Sequence, residues 1–373
     1  MDIGEKVVKL VYQATNDDQS RTDKFGEVFT PEHMILRILN HFPEEVLKDP
    51  KRKWLDLTAG LGQFPSVITK VLMKTLKEYE PDEIKRYTHI IENMVYMAEY
   101  QQTSANILRE CLTAIVPVRL NLYVGDSLEL DPVKEWGVDN FDIVIGNPPY
   151  NDQEDADHKK GGRMHMSTSF YPNFVAKAKK IVKDGGIVSM ILPARGYKPF
   201  EKEGLYLSHY IPNRVDDWMK GKMVQTRSFI ASTEETTPIV THPILAKFMN
   251  LERRNDSVNK KGIALTDFYG SAKRGWAKDQ VSLNNNKITM RINLTASPIN
   301  LTNFNILYAL TVKLFKPYFH KTNSVHDMLD LDWLEGLDRE ITRKDIMNAY
   351  NLTPEDMDVI DNPEKDPYLN DFR

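Results

Sequence analysis

Cysteine is almost absent from the 373 residues: Cys111 stands alone, which rules out an internal disulfide and a cysteine-rich zinc site. Long hydrophobic runs are missing too. No stretch approaches the roughly 18 consecutive apolar residues of a membrane span, and the N-terminal segment lacks the apolar core of a signal peptide. The expectation is an intracellular, cytoplasmic protein with no membrane partner. There is no internal repeat and no low-complexity tract. A strong excess of one charge is also lacking, since the net charge is −4, which excludes a uniformly basic nucleic-acid coat. With 41% hydrophobic and 27% charged residues the composition is that of a folded globular chain. At roughly 100 to 200 residues per domain, the length predicts two domains and a small third appendage.

The near-neutral average conceals segregation. Between Leu251 and Asn293 nine bases, among them Arg253, Arg254, Lys273 and Arg274, face four acids. From Asp327 onward acids dominate, with Asp330, Asp332, Glu335, Asp338 and Glu340 followed by Asp356, Asp358, Asp361 and Glu364. Duplex DNA carries one negative charge per roughly 1.7 Å, so this acidic end is expected to lie away from any DNA. Leu331, Trp333, Leu334 and Leu337 offer apolar anchors there. They read either as a docking element for a partner protein or a second copy, or as packing against the rest of the chain.

Periodicity predicts a helix from Pro31 to Phe42, capped by Thr30, and another tracing Phe64, Val67, Ile68, Val71, Leu72 and Leu76. Strands are expected at Trp54 to Leu57, Val95 to Ala98, Leu120 to Val124, Phe141 to Ile145 and Ile187 to Leu192. Helical stretches near Pro81 to Glu92, Thr103 to Leu112 and Phe170 to Val182 separate them. Cys111, beside Leu108 and Leu112, reads as a core residue on a helix face. This alternation predicts an α/β fold with a mainly parallel, Rossmann-like sheet covered on both faces. The rhythm stops near residue 200. The expected domains are 1–200, 201–325 and an acidic helical segment 326–373.

Four motifs bear on chemistry. Gly146-Asn147-Pro148-Pro149-Tyr150 follows the apolar strand Phe141 to Ile145, and two prolines cannot extend a ladder. The strand must stop there and project Asn147 and Tyr150 from its carboxyl end, where open α/β sheets bind ligands. An exocyclic amine conjugated to a ring has a delocalised lone pair. An amide oxygen and a proline carbonyl can accept its two hydrogens and favour a more nucleophilic nitrogen, while Tyr150 stacks on the ring. The loop Asp56-Leu57-Thr58-Ala59-Gly60-Leu61-Gly62-Gln63-Phe64 opens a strand–turn–helix unit. Pro65 stands where a dinucleotide fingerprint has its third glycine, so a cofactor with a carboxylate fits better than a pyrophosphate. Glu99, before Tyr100, and Asp126, before Ser127, end two further strands. Each acid alone is the kind that caps a helix, yet in this order they suit a ribose and an adenine amino group. His158 and His165 lie in a polar loop without a third ligand nearby, and no metal site is expected.

Lys24-Phe25-Gly26-Glu27-Val28-Phe29-Thr30-Pro31, the Asp56 to Phe64 loop, Glu99, Asp126 and Asn147 to Tyr150 together resemble the γ-class adenine-N6 DNA methyltransferases of restriction-modification systems. The resemblance runs from about Lys24 to Arg195 and extends to Lys183-Asp184-Gly185-Gly186 and Ile191-Leu192-Pro193. It implies an S-adenosylmethionine-dependent methyltransferase sheet and a second, C-terminal, mainly irregular and helical domain. Thr30, Pro31, Asp56, Thr58, Gly60 and Gly62 would hold the methionine part of S-adenosylmethionine. Glu99 would take the ribose, Tyr100 cover the adenine ring and Asp126 take the adenine amino group, with Ser127 a further cofactor-binding residue. Asn147, Pro148, Pro149 and Tyr150 would be catalytic, working on a base flipped out of double-stranded DNA by direct methyl transfer. Met97 and Tyr100 depart from the family pattern, and Phe229 is the one candidate for the aromatic residue opposite Tyr150.

Two rivals remain at this point. A glutamine-N5 protein methyltransferase poses the same delocalised-amine problem to the same Asn-Pro-Pro-Tyr run. A methyltransferase-like DNA-binding subunit without turnover would keep the fold alone. The long basic region after residue 200 reads as DNA target recognition, with bases that neutralise phosphates, or as a solvated basic face.

Overall fold

The computed structural model describes residues 1–17, 29–150, 170–193, 197–213, 226–236, 239–248, 280–282, 289–291, 332–334 and 337–366, with Asn303, Ile306, Leu307 and Leu310. The chain divides into two units, one built chiefly from Met1–Ile211 and Thr226–Thr237, the other chiefly from Pro238–Arg373.

The first unit is an α/β layer structure. Its strands are β1 (Trp54–Asp56), β2 (Val95–Glu99), β3 (Asn121–Val124), β4 (Phe141–Gly146), β5 (Val182–Pro193), β6 (Tyr206–Pro212) and β7 (Thr226–Ser232). They lie side by side in the order β3-β2-β1-β4-β5-β7-β6. The pairs β1–β2, β1–β4, β2–β3 and β4–β5 are parallel, and β7 runs antiparallel to β5. Every residue of β1, β2 and β4 is buried, as a sheet covered on both faces requires. The sequence order reverses between β1 and β4. The carboxyl ends of those two strands therefore border the crevice where open α/β sheets take ligands.

Helices follow from the same periodicity. They are α1 (Ile3–Asp17), α2 (Glu32–Leu39), α3 (Glu44–Lys48), α4 (Gln63–Thr75), α5 (Glu83–His89), α6 (Gln102–Thr113), α7 (Pro132–Trp136), α8 (Tyr171–Ile181) and α9 (Tyr197–Lys202). In α1, Ile3, Val7, Val8 and Val11 recur at helical spacing and are buried, each such burial contributing about 1.5 to 3 kcal/mol. α1 crosses α4 closely because Gly4 has no side chain: a Cβ there would meet the Lys70 Cα at 2.8 Å. Farther along, the Gln63 Nε2 donates to the Thr15 Oγ1 at 2.9 Å. Cys111 is buried on α6, as expected.

The five expected strands are present, and β5 begins at Val182, earlier than the expected Ile187. Pro31 marks the start of α2, but it is the residue before the helix, its carbonyl accepting from the Met34 N–H at 3.1 Å. The break near residue 200 is not the edge of the first unit. β6 and β7 lie beyond it and belong to the same sheet. What changes there is strand direction: β7 pairs antiparallel with β5 from Ile187 opposite Ser232 to Pro193 opposite Thr226, so no regular βα alternation marks it.

The second unit has the short strands β8 (Ile239–Val240), β9 (Gln280–Ser282) and β10 (Thr289–Arg291), the last two antiparallel, and helices α10 (Pro243–Phe248), α11 (Arg343–Ala349) and α12 (Pro354–Asp361). Thr342 and Thr353 each accept from the N–H three residues on, and Asp345 and Asp356 answer to the cap backbone, giving a capping box to α11 and α12. The His242 Nε2 lies 2.8 Å from the Asp366 Oδ2, both buried. Of the four apolar anchors in the acidic end, Leu331 lies outside the described residues. Leu334 is fully buried and Trp333 stacks edge-on against Tyr350, so these two pack within the unit and are not free for docking. Most of the basic region, the loop from Asn151 to Ser169 and Lys24 to Val28 also lie outside the described residues.

Candidate active site

β1 ends at Asp56, and the chain turns sharply through Thr58, Gly60 and Gly62 into α4. Gly60 has φ 55° and Gly62 φ 102°, left-handed values that residues with a Cβ rarely adopt. The turn is braced from β2: the Gly60 N–H donates to the Glu99 Oε2 at 2.8 Å, and the Gln101 N–H to the Glu99 Oε1 at 2.8 Å. Glu99 is thus a brace of the glycine turn as well as an acid at a strand end.

Asp56 is 2% exposed. Its Oδ1 accepts from the Thr58 N–H at 2.9 Å, whereas its Oδ2 and the Thr58 Oγ1 are buried without a hydrogen-bond partner. Burial pushes the Asp56 carboxyl up to about 8; the Thr58 N–H opposes this and the nearby Glu99 adds to it. Gly146 leaves the space open, since a Cβ there would come within 2.8 Å of the Asp56 Oδ1 and 2.9 Å of the Thr58 Oγ1. Orphaned buried acceptors are rare in folded proteins, and a cationic group with N–H donors is the chemistry that would satisfy these. The ammonium of an amino-acid-bearing cofactor fits.

Pro148 and Pro149 end β4, as the sequence predicted, and Asn147 is placed one residue past Gly146. Its Nδ2 donates to the Thr30 Oγ1 at 3.2 Å, and its Oδ1 accepts from the Tyr150 hydroxyl at 2.7 Å. Burial raises the pKa of that hydroxyl, keeping it a donor. Thr30 is itself buried, and its carbonyl accepts from the Tyr12 hydroxyl at 2.7 Å. The segment before α2, the first helix and the end of β4 therefore meet at Thr30. Pro31 is half-buried beside it.

Along the same edge of the sheet, Tyr100 follows β2 and is 74% exposed, while Ser127 is buried. Asp126 is exposed on the turn after β3, with its Oδ1 accepting from the Leu128 N–H at 2.9 Å. Every residue predicted to hold the cofactor, and the run Asn147 to Tyr150, thus sits on one edge, at the ends of β1, β2, β3 and β4 or in the segment before α2. Phe229 does not belong there. It is fully buried within β7, its ring 5.6 Å from Tyr210 and 5.9 Å from Phe200, and cannot face a base.

Sequence reasoning missed three residues at this edge. Tyr12 gives no motif signal, because its partner is a backbone carbonyl distant in sequence. The Phe170 N–H donates to the Tyr150 carbonyl at 2.9 Å, which ties the start of α8 to the motif. The Lys177 Nζ donates to the carbonyls of Leu128 at 2.9 Å and Leu130 at 2.6 Å and so secures the turn that carries Asp126.

The mainly parallel, doubly covered sheet with its crevice at the β1–β4 switch point is an α/β fold built to take a ligand at this edge. Residues 62–215 match the family described as Eco57I restriction-modification methylase, and over that segment the chain is similar to such methylases. No curated protein matches the sequence. Among solved structures, similarity is found to a modification subunit described as part of a type I restriction enzyme from Vibrio vulnificus. It has 14% identity and a TM-score of 0.43, over 79% of this chain and 65% of that one. The type I restriction-modification methyltransferase subunit from Streptococcus thermophilus shows 17% identity and a TM-score of 0.37, over 60% of this chain and 48% of that one. The type ISP restriction-modification enzyme LlaGI, solved with a DNA substrate mimic, shows 16% identity and a TM-score of 0.45, over 60% of this chain and 29% of that one. The chain spans less than two thirds of each of these three proteins. Among the described residues no helix is long and apolar enough to cross a membrane.

Proposed function

We propose that the chain is an S-adenosylmethionine-dependent adenine-N6 DNA methyltransferase of restriction-modification type. The observation that carries this reading is the Asn147 amide, held between Thr30 and Tyr150 at the carboxyl end of β4 and adjoining the orphaned Asp56–Thr58 pair. The match of residues 62–215 to restriction-modification methylases supports DNA as the substrate.

S-adenosylmethionine, when bound, supplies a methyl group on a sulfonium. Asp56 and Thr58 would receive its ammonium, Glu99 its ribose and Asp126 its adenine amino group. At the other side of the crevice the Asn147 Oδ1 accepts one hydrogen of the target amine and the Pro148 carbonyl the other. This would localise the lone pair on nitrogen for the transfer, the methyl–sulfur bond pair leaving with sulfur and the extra proton of the amine passing to water. Asn147 needs no change of its own protonation, so the rate comes from holding the amine in line. The amide oxygen has two lone pairs, one of them engaged by Tyr150; the arriving base takes the second or displaces that hydroxyl, and the tyrosine ring stacks on it.

The test is methyl transfer to mixed genomic DNA with labelled S-adenosylmethionine. Labelled N6-methyladenine is the expected product. Label in a glutamine-containing protein and none in DNA would point instead to protein methylation; DNA binding without any label would point to a subunit without turnover.

A further inference from the structure

One cavity of about 460 Å³ plays no part in this chemistry. It opens at the other end of the sheet, with Ile143, Ile187 and Ile230 on its floor and His41 and His209 in its wall. Ile143 stands in the first half of β4 and Asn147 just past its end, a separation of roughly 13 Å at about 3.3 Å per residue.

The two imidazoles are the chemically active feature. The Ser208 hydroxyl donates its single proton to the Ile230 carbonyl at 3.0 Å, so the same oxygen can only accept from the His209 Nδ1, which lies 3.0 Å away. The His209 Nδ1 therefore carries the hydrogen and its Nε2 keeps a free lone pair. This is the tautomer, fixed by an outer hydrogen bond, in which metal-binding histidines are held. The His41 and His209 ring centres are 5.3 Å apart. With metal–nitrogen bonds of about 2.0 to 2.1 Å, two imidazoles on one tetrahedral ion would have ring centres about 5.2 Å apart.

Glu45, Glu234 and Glu235 line the mouth, while Arg52 in the wall is paired with Asp49 and Asp142. Among the described residues no three ligating groups are already gathered at metal distance. The imidazoles supply two ligands, and water or a mouth carboxylate that turns inward completes the shell.

We propose that His41 and His209 form a binding site for a divalent transition-metal ion, at the end of the sheet remote from methyl transfer. The assignment is independent of the proposed methylation. The test is titration of the untagged full-length chain, stripped with a chelator, with Co²⁺ followed by visible absorption and calorimetry. One ion with a tetrahedral spectrum is expected. His41→Ala and His209→Ala should each weaken it by about tenfold or more, and Ser208→Ala, which frees the tautomer, by about tenfold. His41→Gln and His209→Gln serve if an alanine variant melts well below the wild type. No saturable Co²⁺ binding, or binding that survives loss of both imidazoles, overturns the proposal.

Discussion

Two aspartates at opposite edges of one sheet show where the molecule is finished and where it is not. Asp142, at the start of β4, is saturated: it accepts from Arg52 at 2.8 Å and from the Lys53 N–H at 2.9 Å, and it pairs with Lys183. Burial opposes its ionisation, and these three partners outweigh it, holding its carboxyl below the usual range. Asp56, at the end of β1, has one backbone donor, a buried Oδ2 with no partner and a carboxyl pushed up to about 8. Both sit on neighbouring parallel strands of the same core. The contrast teaches that the carboxyl edge stores unmet hydrogen-bonding capacity, which a folded chain keeps where a ligand completes it.

Asn147→Ala should cut methyl transfer by about a hundredfold, close to 3 kcal/mol of barrier, while leaving the affinity for S-adenosylhomocysteine nearly intact. Single-turnover kinetics alongside calorimetry separate the two effects. Retention of more than about a tenth of wild-type turnover would remove the assigned role.

Exchanging the aspartates for neutral residues should give crossed results. Asp142→Ala takes the acceptor from Lys183 and from the Lys53 N–H and leaves Arg52 with Asp49 alone, and thermal unfolding should show a loss of about 1 to 3 kcal/mol with cofactor-product affinity unchanged. Asp56→Asn removes a poorly solvated acid and should cost little stability, yet weaken cofactor-product binding by about 1 to 3 kcal/mol. Equal effects of the two substitutions on both measurements would erase the distinction drawn between them.

pH sharpens the same contrast, with opposite signs. A carboxyl raised to about 8 is protonated in the free protein at neutral pH and must ionise to meet an ammonium. Binding of S-adenosylhomocysteine should therefore release a proton, and its affinity should rise from pH 6 toward about 8 and then level. The stability of the free protein owed to Asp56 runs the other way, lost as pH climbs from about 4 toward its folded value. Asp142, with a lowered pKa, contributes stability above about pH 4 that is lost as acid protonates it. Calorimetry in buffers of different ionisation heat reads the proton directly, and Asp56→Asn should abolish the release.

The smallest expected effect is at Asp126. Its side chain is exposed and already accepts from Leu128, so Asp126→Ala should weaken product binding by about 1 kcal/mol. An unchanged affinity there would remove Asp126 from the pocket and leave the rest standing.

Much of this edge could be read from residues alone, because proline, glycine and apolar runs act locally. Two prolines stop β4 wherever it lies, and two glycines turn the chain after β1. The strands that escaped were those whose signal is tertiary. β7 carries buried Thr226, Arg227 and Ser228, polar residues that only its place beside β5 makes tolerable. β6 alternates weakly, and its pairing is non-local. The second role of Glu99, bracing Gly60, and the hold of Tyr12 on Thr30 join residues far apart in sequence, which no spacing rule reaches. Phe229 failed for a related reason: an aromatic residue in a strand is as ready to fill a core as to face a ligand.

The most direct measurement is the identity of the methylated base after incubation of mixed genomic DNA with labelled S-adenosylmethionine, wild type beside Asn147→Ala. Label in N6-methyladenine is expected with the wild type, and less than about a tenth as much with the variant. Label in another base, no label in DNA, or equal label from both proteins would contradict that expectation.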